Sequence, residues 1–270
     1  MKLSDAERIL RDTGIESARH DAIEIFAELG GIERGVMIFS DVECDSERVA
    51  SAVSKRAERY PLQYIIGKAY FYNEAYEVNE SVLIPRSDTE ILVEYATKHI
   101  PEGKSFLDLC TGSGCVGIST LKNTKNTRAR LVDISADALV VAERNAKLNG
   151  VSERAELVRC DVLGEALDGE IFAVLSNPPY VREDVYKTLE KEIFSEPKIA
   201  FVGGIDGCDF YREITKKYKS KISEGGFIAY EIGYDQGEDI KAIAESEAMT
   251  CQVLKDYSGN DRVAVLKNKV

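Results

Sequence analysis

Histidine is almost missing from this chain. The two present, His20 and His99, leave nearly no material for a histidine-based triad or a His-rich metal centre. The six cysteines, Cys44, Cys110, Cys115, Cys160, Cys208 and Cys251, are scattered with no CxxC pair. That excludes the usual structural zinc spacing and suits a reducing cytoplasm, with the thiols as small packing residues. Long hydrophobic runs are also lacking, for no stretch approaches the ~18 apolar residues of a membrane span. The start, Met1-Lys2-Leu3-Ser4-Asp5, is charged and has no apolar signal-peptide core. Secretion and membrane insertion are therefore not expected. Positive charge is in short supply as well: 35 Lys+Arg face 47 Asp+Glu, a net charge of −12. This balance leans against a protein whose main task is gripping nucleic-acid phosphates.

What is present suits a folded protein. With 270 residues, 44% hydrophobic and 30% charged, the chain can bury a large core and form one large domain or a large and a small one. Residues 1–60 carry helical periodicity, with Ile9-Leu10, then Ile23, Ile25, Phe26 and Leu29, then Val49, Ala50, Val53 and Ala57 after an N-cap-like Asp45-Ser46. Residues 1–80 hold 10 basic and 16 acidic side chains, so half of the excess negative charge lies here. Ala69–Val78 alternates aromatic and polar residues around Asn73-Glu74, predicting a short hairpin. The expected division is a helical domain over 1–66, a hairpin linker over 67–87 and a larger domain over 88–270.

From about residue 88 strands and helices alternate. Strands are predicted at Ser105–Leu109, Ala129–Val132, Ala155–Cys160, Ile171–Leu175 and Gly226–Glu231, with a closing pair at Cys251–Lys255 and Arg262–Leu266. Helices are predicted at Thr89–His99, from Cys115, at Ala136–Asn149, Asp209–Ile222 and Gln236–Glu247. The alternation implies an α/β fold, a mostly parallel sheet with helices on both faces and an antiparallel member at its end.

The first of these strands runs into Cys110-Thr111-Gly112-Ser113-Gly114 and then a helix, the default ligand position of an open α/β sheet. The run lacks the third glycine of a dinucleotide site and any Walker lysine. The second strand ends at Asp133, from which a carboxylate reaches the two ribose hydroxyls of a nucleoside. Asp161, after the third, is placed either to hydrogen-bond an adenine amino group or to cap a turn. Asp108 either serves the same ligand or braces the loop. A nucleoside ligand without phosphate fits this set, and S-adenosylmethionine answers that description.

The most specific element, Ser176-Asn177-Pro178-Pro179-Tyr180, follows the fourth strand and so falls beside that loop. Two prolines remove two N–H donors and leave carbonyl oxygens as acceptors next to the Asn177 side chain. Such a site suits a planar –NH2 group. If Asn177 Oδ1 and the Pro178 carbonyl each accept one N–H, the nitrogen's lone pair is freed from conjugation and aimed at a methyl sulfonium in line. Tyr180 would stack on or edge against the planar group. No strong base is required before attack, which accommodates a chain with two histidines.

At this point the chain resembles a known family. Asn177 to Tyr180 behind the Gly-rich loop is similar to the amino-methyltransferases, and further segments resemble the HemK/PrmC branch, the peptide chain release factor glutamine N5-methyltransferases. Those segments are 61–67 (PLQYIIG), 82–90 (VLIPRSDTE), 195–197 (SEP), 203–207 (GGIDG), 231–233 (EIG) and 256–262 (DYSGNDR). The resemblance implies a seven-stranded Rossmann-like S-adenosylmethionine-dependent methyltransferase domain preceded by a small helical domain that helps dock a protein substrate. It implies a cofactor site of Cys110, Thr111, Gly112, Ser113, Gly114, Asp133, Asp161, Val162 and Asn177, and a substrate pocket of Asn177, Pro178, Pro179 and Tyr180, with Asn177, Pro178 and Tyr180 acting in catalysis. The implied substrate is the glutamine of the Gly-Gly-Gln motif of class I release factors, with S-adenosylhomocysteine as the other product. A monomer in the cytoplasm is the default expectation, with no direct nucleic-acid, membrane or metal partner. An acidic docking domain suits a partner with basic surface. Three positions depart from the family pattern: Cys110 where Gly is frequent, Ser87 where Pro is common, and Val162 where some members place an aromatic against adenine. The competing readings are a nucleic-acid adenine methyltransferase and a silent methyltransferase-fold subunit that binds a partner.

Overall fold

The chain divides into two compact units. One comprises Met1–Lys68 together with Glu190–Ser195, and the other Ala69–Leu189 with the chain from Glu196 onward. The structure, a computed structural model, describes residues 1–269. The first unit is built from α1 (Leu3–Asp12), α2 (Ala18–Gly30), α3 (Arg34–Phe39), α4 (Glu47–Ala57) and α5 (Leu62–Ile66). Apolar residues at helical spacing, among them Leu3, Leu10, Ile25, Phe26, Val49 and Val53, form its core. Ser46 caps α4 by accepting the Val49 N–H at 3.4 Å. One ion pair is inside: Arg56 Nε donates to Asp21 Oδ2 at 2.6 Å, and its guanidinium reaches Glu192 at 3.1 Å. Buried charges persist only when paired in this way.

The second unit begins with a hairpin of β1 (Lys68–Phe71) and β2 (Glu74–Glu77). Tyr72 (φ 50°) and Asn73 (φ 66°) turn the chain in the left-handed region, the conformation that matches strand twist in a two-residue hairpin. Then follow α6 (Glu90–His99), β3 (Ser105–Leu109), α7 (Cys115–Lys122), β4 (Arg128–Asp133), α8 (Ala136–Leu148), β5 (Ala155–Arg159), β6 (Ile171–Ser176), α9 (Glu183–Tyr186), α10 (Asp209–Tyr218), β7 (Ile222–Glu231), α11 (Gly237–Ser246), β8 (Met249–Lys255) and β9 (Asp261–Asn268). Strands β3 to β9 form one seven-stranded sheet of order β5-β4-β3-β6-β7-β9-β8. Its first five strands are parallel, and β9 pairs antiparallel with both β7 and β8. All six residues of β6 are buried, as a central strand covered on both faces requires. Two apolar clusters, one around Phe106, Leu131 and Phe227 and the other around Leu107, Tyr211 and Tyr230, fill the space on the sheet's two faces.

The strand order decides where a ligand can bind. The chain runs outward from β3 through β4 to β5, then returns to the other side of β3 as β6, which makes the β3/β6 boundary the switch point. Leu109 and Ser176 are register partners there, so the Gly-rich loop and Asn177 leave the sheet side by side. The Ser176 hydroxyl donates to the Leu109 carbonyl at 2.7 Å and pins the two strand ends together.

Several boundaries differ from expectation by one to four residues. The helix predicted at Asp209–Ile222 stops at Tyr218, and β7 starts at Ile222 rather than Gly226. Ile222 pairs with Ile171 at the start of β6, so an apolar residue that continues the helical period is taken by the sheet. The helix predicted from Thr89 opens with a 3-10 turn at Ser87–Thr89, and α6 proper begins at Glu90.

Candidate active site

The loop after β3 is held by carboxylates. Asp108 is 1% exposed and accepts from Thr111 Oγ1 at 2.5 Å and from the Gly117 N–H at 2.9 Å. It therefore braces the loop against the start of α7. Burial pushes its pKa up to about 7, against the two hydrogen bonds that favour its ionised form. Asp133, ending β4, accepts the Gly112 N–H at 2.9 Å and the Ser135 N–H at 2.9 Å. A carboxylate with about four lone-pair sites keeps capacity for two further hydroxyl donors. Gly114 caps α7 at φ 82°, and a Cβ there would lie 2.6 Å from Ile118 Cδ1. Its requirement is steric, set by the turn into the helix.

Cys110 takes φ 59°, the left-handed region in which glycine is at ease, which gives a physical reason for the glycine frequent in the resembled family. Burial pushes its thiol well up, as it does the Cys115 thiol, to about 12, so neither supplies a thiolate near neutral pH. Replacing Cys110 with valine puts a β-branched residue into this conformation. Chemical unfolding of Cys110→Val is expected to show a loss of about 1–3 kcal/mol, whereas Cys110→Gly stays near wild type.

Beyond the strand ends lies a cavity of about 450 Å³, within the ordinary range of small-molecule sites. Of the sequence-predicted residues, Cys110, Gly112, Asp133, Asp161, Val162, Asn177 and Pro179 line it. Its remaining wall is largely apolar, with Ile134, Leu163, Ile199 and Phe210. Among the described residues that line it none is basic, and Asp133, Asp161 and Asp209 carry carboxylates. Such a wall gives a phosphate nothing to pair with and favours a ligand that is neutral or cationic. Asp161 accepts the Leu163 N–H at 2.9 Å, so it caps a turn at the rim while still bordering the space. Thr111 and Ser113 fall elsewhere, in a small neighbouring cavity of about 40 Å³ that Cys110, Gly112 and Asn177 also line. Ser113 Oγ is buried there with no hydrogen-bond partner, a polar atom free for a ligand. These features fit S-adenosylmethionine: Asp133 for the ribose, the apolar wall for adenine, and Ser113 with the loop for the polar amino-acid end.

Gly114, Pro178 and Tyr180 line neither cavity. Pro178 is buried in the turn, and the Tyr180 hydroxyl donates to Glu231 Oε1 at 3.1 Å. Burial beside that carboxyl drives the phenol's pKa far up and keeps it protonated. The turn is clasped from the other side. Val181 donates its N–H to the Phe201 carbonyl at 2.8 Å and its carbonyl accepts the Gly203 N–H at 3.0 Å, and a Cβ on Gly203 would come within 2.3 Å of the Pro179 carbonyl oxygen. Gln236 donates to the Tyr180 carbonyl at 3.2 Å. Glu196, 5% exposed, accepts the Ile84 N–H at 2.9 Å and the Arg86 guanidinium. Arg262 joins Asp88 at 3.1 Å and Asp256 at 3.2 Å. Thr89, Glu196, Gln236, Glu231 and Arg262 were not read as site residues from the sequence. The available signal for Thr89, Glu196, Glu231 and Arg262 is their place in the short segments 82–90, 195–197, 231–233 and 256–262 that carry the resemblance, whereas Gln236 lies outside these segments.

Comparison with known proteins identifies relatives of the chain. A family model described as "Methyltransferase small domain" matches residues 87–202, and one described as "PrmC N-terminal domain" matches residues 2–67. The fold is similar to that of a solved methyltransferase from Pyrococcus furiosus, with a TM-score of 0.54 at 16% identity, covering 71% of this chain and 86% of that one. A release factor glutamine methyltransferase of Clostridium acetobutylicum is 40% identical over 219 residues, covering 79% of this chain and 77% of the relative. One from Caulobacter vibrioides is 34% identical over 264 residues, covering 95% of this chain and 91% of the relative. At this identity over most of both lengths, the chain belongs to the release factor glutamine methyltransferase family.

Proposed function

We propose that this chain transfers a methyl group from S-adenosyl-L-methionine to the side-chain amide nitrogen of the glutamine in the Gly-Gly-Gln motif of class I release factors. The observation that carries the reading is the position of Asn177, which borders both the large cavity and the small one beside it. S-adenosylmethionine supplies, when bound, a methyl group made electrophilic by its sulfonium. The protein's own residues do the rest. Asp133 holds the ribose end, and Cys110 to Ser113 give backbone and hydroxyl contacts to the amino-acid end. Asn177 Oδ1 and the Pro178 carbonyl each accept one N–H of the glutamine amide and turn its nitrogen toward the methyl. The N–C bond forms as the S–C bond breaks, S-adenosylhomocysteine leaves, and the amide's surplus proton passes to water.

On this reading the helical unit docks the protein substrate, and α3 offers exposed Ile38 and Phe39 for it on an acidic surface. The enzyme then works as a monomer in the cytoplasm with no nucleic-acid partner. Among the described residues no helix is long and apolar enough to cross a membrane.

The test is transfer of labelled methyl to unmethylated release factor, run beside a factor whose Gly-Gly-Gln glutamine is replaced and beside an oligonucleotide. Label is expected in the first alone. Equal label in the replaced factor, or label in the oligonucleotide, would overturn the reading.

A further inference from the structure

Two side chains from the resembling segments, Thr89 and Glu231, take no part in the reading above, yet Thr89 hydrogen-bonds Asn177 and Glu231 hydrogen-bonds Thr89. Glu231 closes β7 and is 2% exposed; its Oε2 accepts the Thr89 hydroxyl and its Oε1 the Tyr180 hydroxyl. Thr89 is also 2% exposed, and its oxygen accepts Asn177 Nδ2 at 3.3 Å. A hydroxyl has one proton, and here it goes to the carboxylate. The Thr89 oxygen can then only accept from Asn177, which holds the asparagine's NH2 end and leaves its carbonyl end for the substrate.

We propose that Glu231 and Thr89 are positioning residues that fix the amide orientation of Asn177, so that Oδ1 rather than Nδ2 meets the glutamine NH2. The proposal rests on the glutamine methyltransferase reading and adds to it. The two ends of an asparagine amide are nearly the same size, so sterics alone do not choose between them. The choice has to come from hydrogen-bond polarity. An ionised carboxylate accepts and cannot donate, so Glu231 sets the direction of the whole chain: Asn177 N–H to Thr89 oxygen, Thr89 O–H to Glu231. A flipped Asn177 would point its own N–H groups at those of the substrate, and neither could accept. Burial raises the Glu231 carboxyl above the usual carboxylate range, against two hydroxyl donors and the positive charge of nearby Arg262, which favour its ionised form. The Tyr180 hydroxyl is held on the second oxygen of the same carboxylate, so one buried group orients both side chains of the Asn-Pro-Pro-Tyr turn.

The test is steady-state methylation of release factor by Glu231→Gln, Thr89→Val and Thr89→Ser, with S-adenosylmethionine binding measured separately. A glutamine at 231 can donate to Thr89 and so release the threonine proton toward Asn177, reversing the chain without changing its shape. Glu231→Gln and Thr89→Val are each expected to lower kcat about 30–100-fold while cofactor Kd and release-factor KM move less than about threefold. Thr89→Ser, which keeps the hydroxyl, should recover most of what Thr89→Val loses. Wild-type kcat in Glu231→Gln, or Thr89→Ser as impaired as Thr89→Val, overturns the proposal. If Glu231→Gln does not fold, the threonine pair decides alone. A wild-type enzyme inactive on release factor overturns the functional reading beneath it, which is a different result from an active wild type with an equally active Glu231→Gln.

Discussion

Asn177→Ala should reduce kcat for release-factor methylation by about 10²–10³-fold, the scale seen when one preorganised hydrogen-bond partner of a developing charge is removed. The argument is local. A primary amide nitrogen is a poor nucleophile because its lone pair is shared with the carbonyl. It gains reactivity when its two N–H bonds are held out of conjugation, and that takes two acceptors in fixed positions. The second proposed acceptor is the Pro178 carbonyl, which substitution at 177 leaves in place, so the effect reports the asparagine alone. The side chain makes one hydrogen bond in the protein, to Thr89 at 3.3 Å, so its removal should hardly affect folding. Cofactor affinity is expected to shift less than about fivefold, because the proposed ribose and adenine contacts are Asp133 and the cavity wall formed by Val162 and Leu163. Single-turnover rates and cofactor binding on the same preparation check this. A variant with wild-type turnover would remove the orienting role assigned to Asn177.

The complementary result is expected at Asp133. Asp133→Ala should weaken S-adenosylmethionine binding about 30–300-fold, from the loss of hydrogen bonds to a charged acceptor at roughly 1.5–3 kcal/mol each, only part of which solvent restores. Its effect on kcat at saturating cofactor should be much smaller, since the proposed function puts this carboxylate at the ribose end. Part of the loss is indirect. Asp133 also accepts the Gly112 and Ser135 N–H groups, so alanine loosens the loop that faces the ligand. Asp133→Asn, which keeps an acceptor oxygen without the charge, should fall between alanine and wild type. Calorimetric titration with S-adenosylhomocysteine measures all three, and unchanged Kd in Asp133→Ala would displace the ribose from this carboxylate.

Much of this is legible in the sequence, for a definable reason. The Gly-rich run, Asp133 at a strand end and the Asn-Pro-Pro-Tyr turn are contiguous patterns, and each states its chemistry through residues adjacent in sequence. The alternation of apolar runs with helical periods carried the parallel sheet in the same way. Where local pattern and sheet pairing competed, as at Ile222, the pairing with Ile171 won and the helix ended early. Asp108 was ambiguous in sequence because a carboxylate at a strand end serves ligand or loop equally well. Its hydrogen bonds to Thr111 and Gly117, with 1% exposure, assign it to the loop.

By itself, then, the sequence determined the type of fold, the kind of cofactor and the short turn proposed to meet the substrate, because those depend on neighbours along the chain. Only the tertiary structure decided what holds that turn. Thr89 reaches Glu231 across 142 positions and Asn177 across 88, and Glu196 ties down Ile84 across 112. The strand order that places β6 beside β3 and the register that sets Ser176 opposite Leu109 create those meetings. No local pattern encodes a hydrogen bond between residues so distant in sequence. It exists only once the sheet is assembled, and the direction of an amide is settled by partners that the assembled sheet supplies.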